Sequence, residues 1–292
     1  YVELRNVQSR LEIARSHISS QEHTLKLVRA RSQAGLADDL DVVQAETSLA
    51  RIRVNVPMLE EQVQHVMHRL GALLGKPPAV LAEQLSIVVA LPQPPEQLYL
   101  GMPADLLRRR PDVRIAERRL AKQTALIGVI ESELYPKFFV NGSFNLSASD
   151  AGDLFESGSV NFGLGPAFSW NIFSSGRIKN EMRAQTEREQ QAVYVFHKTV
   201  LNALVEVEDG IISHARERER LQALRDAAGS AQRAVEIARA QYSRGITQFD
   251  NVLQSERVLF ELQSDCVDSE ARLLTHIIVL YKSLGGGWGE AP

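Results

Sequence analysis

Apolar residues recur at spacings of three and four along most of the chain, beginning almost at the first residue. The pattern opens with Leu4, Val7 and Leu11 and continues to about residue 28, and it resumes between about residues 42 and 73. Such spacing is typical of long helices that pack along an apolar seam. Because only a short segment around Gly35 separates the two stretches, they are predicted to form an antiparallel helical hairpin.

The hydrophobic period changes to two over residues 138–148 and again over residues 160–172, where even positions are mostly apolar and odd positions are mostly small or polar; a polar loop at 149–159 joins the two stretches. Two strands of about ten residues are predicted, forming a hairpin over residues 136–174. An ordinary α+β sheet would show the same alternation, but no further strand pattern follows, and a lone two-stranded sheet is marginal. The alternation therefore favours a slice of a transmembrane β-barrel. Its predicted lipid-facing residues are Val140, Phe144, Leu146, Phe162, Leu164, Phe168 and Trp170.

The stretch from Arg29 to Leu49 is repeated, without a gap, from Arg239 to Leu259. An offset of 210 residues aligns Gly35 with Gly245 and continues to the ends of both stretches. The sequence therefore predicts two internal repeats, each a helical hairpin whose tip is a glycine that tolerates positive φ. Behind the tips, Asp38 with Asp41 and Thr247 with Asp250 resemble capping boxes.

Six segments follow from these patterns. They are a first-repeat hairpin (1–75), a Pro-rich connector (76–100), a compact helical segment (101–135), the strand hairpin (136–174), a second-repeat hairpin (175–285) and a tail (286–292). Pro111 suits the first position of a helix, with a shorter helix ahead of it. The first-repeat counterpart of the strand hairpin would precede Tyr1, so the sequence is expected to lack about the first third of the protein.

Composition narrows the function. The 33 basic and 36 acidic residues leave no excess charge that demands nucleic acid, and acidic residues flank the run Arg108–Arg110. The sequence contains no run of about 18 apolar residues, so no membrane-spanning helix is predicted. Glu61, His65 and His68 have helical spacing for a metal, but they flank the seam, so we interpret them as surface residues. No nucleophile motif or phosphate loop appears, and neither an enzyme, a metal nor a cofactor is predicted.

Several motifs carry a resemblance to a known family. They are PADLLRRRPDVRIAERRL at 103–120, ELYPKFFVNGSF at 133–144, SSGR at 174–177, the paired tips, LGALLGKPP and LYKSLGGGW. Together they resemble the TolC-like outer-membrane efflux proteins, most closely the NodT-type lipoprotein branch that serves drug-exporting resistance-nodulation-division (RND) pumps. The resemblance covers most of the chain.

This resemblance implies a homotrimer in which each chain gives four strands to one 12-stranded transmembrane β-barrel and long helices to a periplasmic α-barrel. The fold class is thus mainly α with a β-hairpin. The tips would meet a periplasmic adaptor, here through Ala34, Gly35, Leu36, Arg244, Gly245, Ile246 and Thr247. The family narrows its periplasmic end with acids on the last helix. The usual aspartate position holds Gln254, with Asp250 one turn earlier, and Asp41 is a further candidate.

The function implied is a passive exit duct in the bacterial outer membrane, with its helical part in the periplasm. It would carry drugs and other small molecules from an inner-membrane RND pump, and its partners would also include outer-membrane lipid. A channel for type I protein secretion or for metal-ion efflux is an alternative, because cargo selection lies mainly in the pump. A soluble coiled-coil scaffold would explain the heptads but leaves residues 138–173 without a purpose.

Overall fold

The computed structural model describes residues 1–92, 109–150, 155 and 157–286. Within these ranges the protein is mainly helical and contains one two-stranded antiparallel sheet. The chain divides into two compact units. The first contains Tyr1–Leu100 and Glu206–Ser283, and the second contains Gly101–Val205 and Leu284–Pro292. The end of the predicted connector, the predicted helix before Pro111 and the tail beyond residue 286 lie outside the described residues.

The helices are α1 (Val2–Gln33), α2 (Asp39–Leu73), α3 (Pro78–Leu85), α4 (Pro111–Ser132), α5 (Arg177–Ser243) and α6 (Phe249–Ser283). The strands are β1 (Lys137–Leu146) and β2 (Val160–Ser169), and a 3-10 turn at Ser157–Ser159 precedes β2. None of the described helices combines the length and hydropathy that crossing a membrane requires.

Helix ends follow the 210-residue offset. α1 and α5 end at Gln33 and Ser243, and both α2 and α6 are 35 residues long. At the tips, Gly35 has a φ of +70° and Gly245 a φ of +75°. The N–H of Leu36 donates to the carbonyl of Arg31 at 2.8 Å, and the matching bond closes α5. This is the hydrogen-bond pattern of a helix terminated by a left-handed glycine. The predicted tips are therefore present in the structure.

The first unit packs around the predicted seams. Near the tips, a buried apolar cluster draws on α1, α2, α5 and α6. It contains Leu25, Val28, Ala45, Leu49, Ala238, Tyr242, Phe249 and Val252. Farther from the tips, α1 and α2 bury a second cluster of Leu4, Val7, Ala14, Leu59, Val63 and Met67. The heptad positions of α1 and α2 thus face each other as the spacing predicted.

In the second unit, α4 begins at Pro111 as predicted, with Arg110 in the capping position. Pro suits the first position because its missing N–H would have no helical partner there. The buried Val113 packs against the part of α5 around Ala203. Polar contacts continue this packing, since the Thr124 hydroxyl donates to Glu189 at 2.7 Å.

Strands β1 and β2 pair with even residues opposite even residues, for example Phe144 with Phe162 and Gly142 with Leu164. This register gathers the apolar side chains on one face of the sheet, as the alternation predicted. The other face carries small and polar residues such as Asn145. Both faces are largely exposed in the single chain.

Two sequence-based predictions about local structure were wrong. Trp170 is not a strand residue, because β2 ends at Ser169, which pairs with Lys137 at the start of β1. Its indole N–H donates instead to the carbonyl of Leu134 at 3.0 Å. The predicted capping box at Thr247 is also displaced: α6 begins at Phe249, so Gln248 occupies the cap position. Thr247 accepts a hydrogen bond from the Asn251 side chain at 2.7 Å.

Candidate functional site

The two hairpin tips lie side by side and enclose a cleft of about 730 Å³. The glycines, together with Ala34 and Arg244, are exposed. Two apolar side chains project from the tips, because Leu36 is 65% exposed and Ile246 is 67% exposed. The tip residues predicted from the sequence therefore lie together at one accessible end of the first unit, where they offer backbone and small apolar surface.

Arg31 joins the two tips. Its guanidinium donates to the carbonyl of Ser243 at 2.5 Å and to the carbonyl of Leu36 at 3.1 Å. The same group lies over the ring of Tyr242, 4.8 Å from the centroid, in cation–π geometry. One side chain of the first hairpin thus satisfies a carbonyl group in its own tip and another at the end of α5.

A second link crosses between the hairpins. The Tyr242 hydroxyl donates to the Asp41 carboxylate at 3.0 Å. Burial, and then the hydrogen bond and charge of Asp41, raise the pKa of Tyr242 to about 12. Its ring also packs on Phe249, with centroids 5.2 Å apart. Asp41, one of the predicted gate residues, is therefore held by the other hairpin.

Asp250 and Gln254 differ from Asp41 in their surroundings. Both side chains are exposed and lie one turn apart on α6. Among the described residues, neither side chain forms a hydrogen bond or an ion pair. Asp250 and Asp41 line the same cleft. Because Asp250 sits in the first turn of α6, its charge is favourable near the positive end of the helix dipole.

A buried polar cluster lies about two turns from the tips. Glu256 is 1% exposed and accepts hydrogen bonds from Gln21, from Thr24 at 2.9 Å and from Arg239 at 2.8 Å. Arg239 also donates to the Ser20 hydroxyl at 2.6 Å. A buried carboxylate is tolerated when charge and hydrogen bonds satisfy it, and here α1 and α5 supply them.

His17 lies beside this cluster and stacks on Phe260 of α6, with ring centroids 4.6 Å apart. Within the described part of the chain, neither ring nitrogen has a hydrogen-bond partner. Burial first, and then the charge of Arg239, lower the pKa of His17 to about 4. The imidazole is therefore neutral at neutral pH.

Sequence reasoning missed Arg31, Tyr242 and Glu256 as residues that join the hairpins. The repeat held a signal for Tyr242, because the 210-residue offset places it opposite Ser32. Ser32 bonds Asp39 at 3.1 Å, whereas their counterparts Tyr242 and Phe249 form a ring contact. A position where the copies change from polar to aromatic marks a contact that only one copy makes.

Metal-ligating residues do not cluster within the ranges that the structure describes, where no group of three or more His, Cys, Asp or Glu could hold an ion. His65 and Glu61 are both exposed, with Nε2 3.9 Å from Oε1. They lie on the surface, as the sequence indicated.

Comparison with known proteins adds to this geometry. The sequence profile described as "Outer membrane efflux protein" matches residues 1–76 and 102–286. The chain belongs to that family. Family membership assigns the protein to the bacterial outer membrane, with its helical part in the periplasm. The helical hairpins that carry the two exposed tips therefore belong to the periplasmic part of the protein.

Two relatives match nearly the whole chain. The chain is 33% identical over 288 residues to the toluene efflux pump outer membrane protein TtgF of Pseudomonas putida, covering 99% of this chain and 59% of the relative. It is 28% identical to the nodulation protein T of Rhizobium leguminosarum bv. trifolii, again covering 99% of the chain and 62% of the relative. The chain thus spans about three fifths of the length of these relatives.

Solved structures support the fold. The outer-membrane channel OprN superposes with a TM-score of 0.89 at 32% identity, covering 99% of this chain and 64% of the channel chain. The outer membrane protein VceC of Vibrio cholerae superposes with a TM-score of 0.83 at 24% identity, covering 99% of this chain and 68% of VceC, and supports the fold alone. The mainly helical architecture is that of outer-membrane efflux channels.

Proposed function

We propose that this protein is the outer-membrane exit duct of a tripartite efflux pump, which passively conducts drugs and other small molecules from the periplasm to the outside. Three chains would each give four strands to one 12-stranded β-barrel and long helices to an α-barrel. The partners would be a periplasmic adaptor, an inner-membrane RND pump and outer-membrane lipid. The apolar cargo named for the relative TtgF is in keeping with small-molecule transport.

The observation that carries this proposal is the sheet. Its apolar side chains form one continuous face, and Phe144, Phe162 and Leu164 are each about two thirds exposed or more. A two-stranded sheet with an exposed apolar face is marginal in water. Lipid would cover that face, and strands from other copies would pair with the open edges, since a membrane does not tolerate unpaired edges.

The tips are the proposed adaptor-docking surface. Ala34, Gly35 and Leu36 with Arg244, Gly245, Ile246 and Thr247 form it. A backbone in the left-handed region without a side chain allows a partner to approach closely, and Leu36 and Ile246 provide apolar anchors beside it. The space around Gly35 is open, since a Cβ added at this residue would have no atom within 4 Å.

The periplasmic gate is proposed to lie just behind the tips. Asp250 and Gln254 are exposed in the single chain. In a three-fold assembly each of these positions would occur three times around one axis. A ring of carboxylates selects cations over anions. Asp41 would act through its bond to Tyr242, which holds the two hairpins together at the same level.

Fractionation of the full-length protein tests this function. The protein should cofractionate with outer membranes and migrate as a detergent-stable trimer. Its deletion should sensitise cells to small apolar toxicants, and the wild-type gene should restore resistance. A soluble monomer, or a soluble coiled-coil dimer, would contradict the proposal. Restored secretion of a protein substrate without restored drug resistance would favour the secretion alternative.

A further inference from the structure

A second cleft, of about 680 Å³, lies between α1, α2 and the segment that follows α3. That segment comprises residues 86–92, and we term it the strap. The cleft belongs entirely to the first unit and lies away from the tips, since its lining residues on α1 fall between Gln8 and Arg15. Its volume is within the range of sites that bind small molecules, roughly 300–1,000 Å³.

Two buried polar side chains of α1 hold the third wall of this cleft in place. Arg5 is 3% exposed and donates to the carbonyl of Ile87 at 2.6 Å. Gln8 is 4% exposed and donates to the carbonyl of Leu85, at the end of α3, at 2.7 Å. Arg5 also donates to the Gln8 side chain at 2.8 Å. Because buried side chains bond the main chain on this side, the strap is fixed against α1.

The cleft has an apolar floor. Val63 and Met67 of α2 are buried, and Leu11 of α1 is half-buried beside them. The strap adds Val88, which lines the cleft although it is 51% exposed. Apolar side chains from three elements therefore surround a space that can receive an apolar group.

Two carboxylates at the cleft lack a cation. Glu12 and Glu61 are exposed lining residues, one from each helix of the hairpin. Within the described part of the chain, Glu12 forms no hydrogen bond or ion pair, and Glu61 has only the imidazole of His65, 3.9 Å away. Glu60 differs, because Arg15 bonds it at 2.8 Å. The cleft thus combines an apolar floor with two negative charges that no arginine or lysine compensates.

Comparison of the two repeats separates what the hairpin needs from what the cleft adds. The ion pair recurs in the second repeat, where Arg225 bonds Glu270 at 2.7 Å. The floor positions also stay apolar there, as Leu221, Leu273 and Ile277. The two uncompensated acids do not recur, since the 210-residue offset places Gln222 and Ala271 at their positions. Packing of a hairpin therefore does not require these acids.

We propose that this cleft binds a small organic amine that is protonated at neutral pH and carries an apolar body. The ammonium group donates charge-assisted hydrogen bonds to Glu12 and Glu61, and the apolar body lies on the floor beside Val88. Anions are repelled by the two carboxylates, and a neutral compound leaves them without a cation. This proposal goes beyond the exit duct and does not rest on it.

Calorimetric titration of the full-length protein in a non-ionic detergent tests the ligand class. Phenethylamine should bind saturably, with one site per chain. Phenethyl alcohol has the same apolar body and no charge, and ethylamine has the charge and no ring. Each should bind at least about tenfold more weakly than phenethylamine, because each lacks one of the two interactions. Absence of saturable binding, or equal affinity for the amine and the alcohol, would overturn the proposal.

Substitution of the acids tests the site. Glu12→Gln combined with Glu61→Gln should raise the Kd of phenethylamine to that of phenethyl alcohol. Both side chains are exposed, so the fold should tolerate the changes. Glu22→Gln is the control, since Glu22 lies nearer the tips on α1 and is already paired with Arg53 at 2.6 Å. It should leave the Kd unchanged, and an equal effect of the control and the double variant would contradict a local site.

Thiol labelling shows whether the cleft is open in the assembled protein, in a background in which Cys266 is replaced by Ala. Gln64→Cys, at an exposed lining position, should react readily with a maleimide at pH 7, and phenethylamine should slow the reaction. Lys26→Cys, on α1 outside the cleft, should react at the same rate with and without the amine.

Two labelling outcomes would overturn the proposal. One is slow labelling of Gln64→Cys without amine, which would show that another part of the assembly or a partner protein fills the cleft. The other is equal slowing at both cysteines. Neither measurement depends on efflux, so failure of the amine site would leave the proposed exit duct to its own tests.

Discussion

Two ion pairs related by the 210-residue offset occupy different environments. The pair Arg29–Glu46 has side chains that are 54% and 47% exposed, whereas in Arg239–Glu256 the carboxylate side chain is 1% exposed. Surface ion pairs contribute little to stability because water screens them. Removing one partner of a buried ion pair is costly, because the remaining charge is left without compensation. The same residues therefore have different energetic roles in the two hairpins.

We expect Glu256→Ala to lower the free energy of unfolding by about 3 kcal/mol, because Arg239, Gln21 and Thr24 lose their shared acceptor. The control is Glu60→Ala, since the Arg15–Glu60 pair is exposed at 2.8 Å and should contribute less than about 1 kcal/mol. Chemical denaturation followed by circular dichroism in detergent measures both variants. Equal losses would contradict a stabilising role for the buried cluster.

We expect His17 to make the stability of the folded protein depend on pH in the acidic range. Its pKa is lowered from 6.5 to about 4 by burial and by Arg239, so the unfolded chain binds a proton in a range where the folded chain does not. The contribution of neutral His17 to the free energy of unfolding is complete above pH 6.5 and is lost as the pH falls from 6.5 towards 4. We expect His17→Phe, which preserves stacking on Phe260, to reduce the loss of melting temperature between pH 7.5 and pH 4.5. An unchanged pH dependence would exclude His17 as its source.

These residues also show where sequence reasoning stops. The seam positions of α1 and α2 were predictable, because helical periodicity is local. Glu256 looked like its counterpart Glu46, and only packing against Gln21 and Thr24 of another helix distinguishes them. Partners separated by more than 200 residues leave no periodic signal.

At the scale of elements, the helix ends were the most predictable feature. Gly35 and Gly245 were expected at positive φ, and both have it, because only glycine adopts that conformation without strain. The start of α6 was misplaced by one residue because capping residues are common near helix starts, and Thr247 fitted the motif without occupying the cap. Trp170 was misplaced because strand alternation continues past the last paired residue.

The tip glycines permit a controlled substitution. Gly35→Leu should abolish efflux by obstructing the proposed docking surface, at a backbone cost of about 1–2 kcal/mol. Gly75→Leu is the matched control, because Gly75 ends α2 with a φ of +63° and nothing lies within 4 Å of its Cβ position. It should cost similar stability and preserve efflux. Drug susceptibility, trimer content and adaptor cross-linking are the measurements, and loss of efflux in both variants would point to strain rather than docking.

The sheet gives a second prediction at this scale. Leu164→Arg should destabilise the protein in membranes by roughly 2–4 kcal/mol, because the even face is proposed to contact lipid near the midplane. Asn145→Arg, on the odd face, should be tolerated. The yield of heat-modifiable trimer in outer membranes distinguishes the two variants. Equal tolerance of arginine at both positions would contradict the proposal that the even face contacts lipid.

At the scale of the whole molecule, the proposed gate depends on symmetry that one chain does not display. Asp250→Asn should lower cation preference in bilayer conductance recordings, because three carboxylates would be removed together from the narrowest end. Asp265→Asn is the control: Asp265 is exposed on the same helix, about four turns farther from the tip. Unaltered selectivity in Asp250→Asn trimers would reject the assignment and direct attention to Asp41.

The span of the contacts has a consequence for the order in which the chain folds. Each hairpin closes locally, as when Arg29 meets Glu46 17 residues away, whereas Asn6 meets Asp268 at a separation of 262 residues. Loops of that length close late, since their entropy must be lost before the contact forms. The polar face of α1 that receives Glu256 therefore stays hydrated until α6 has been delivered. Loss of α6 by truncation would leave Gln21 and Thr24 without that acceptor, and export would have to deliver α6 before this buried cluster could form.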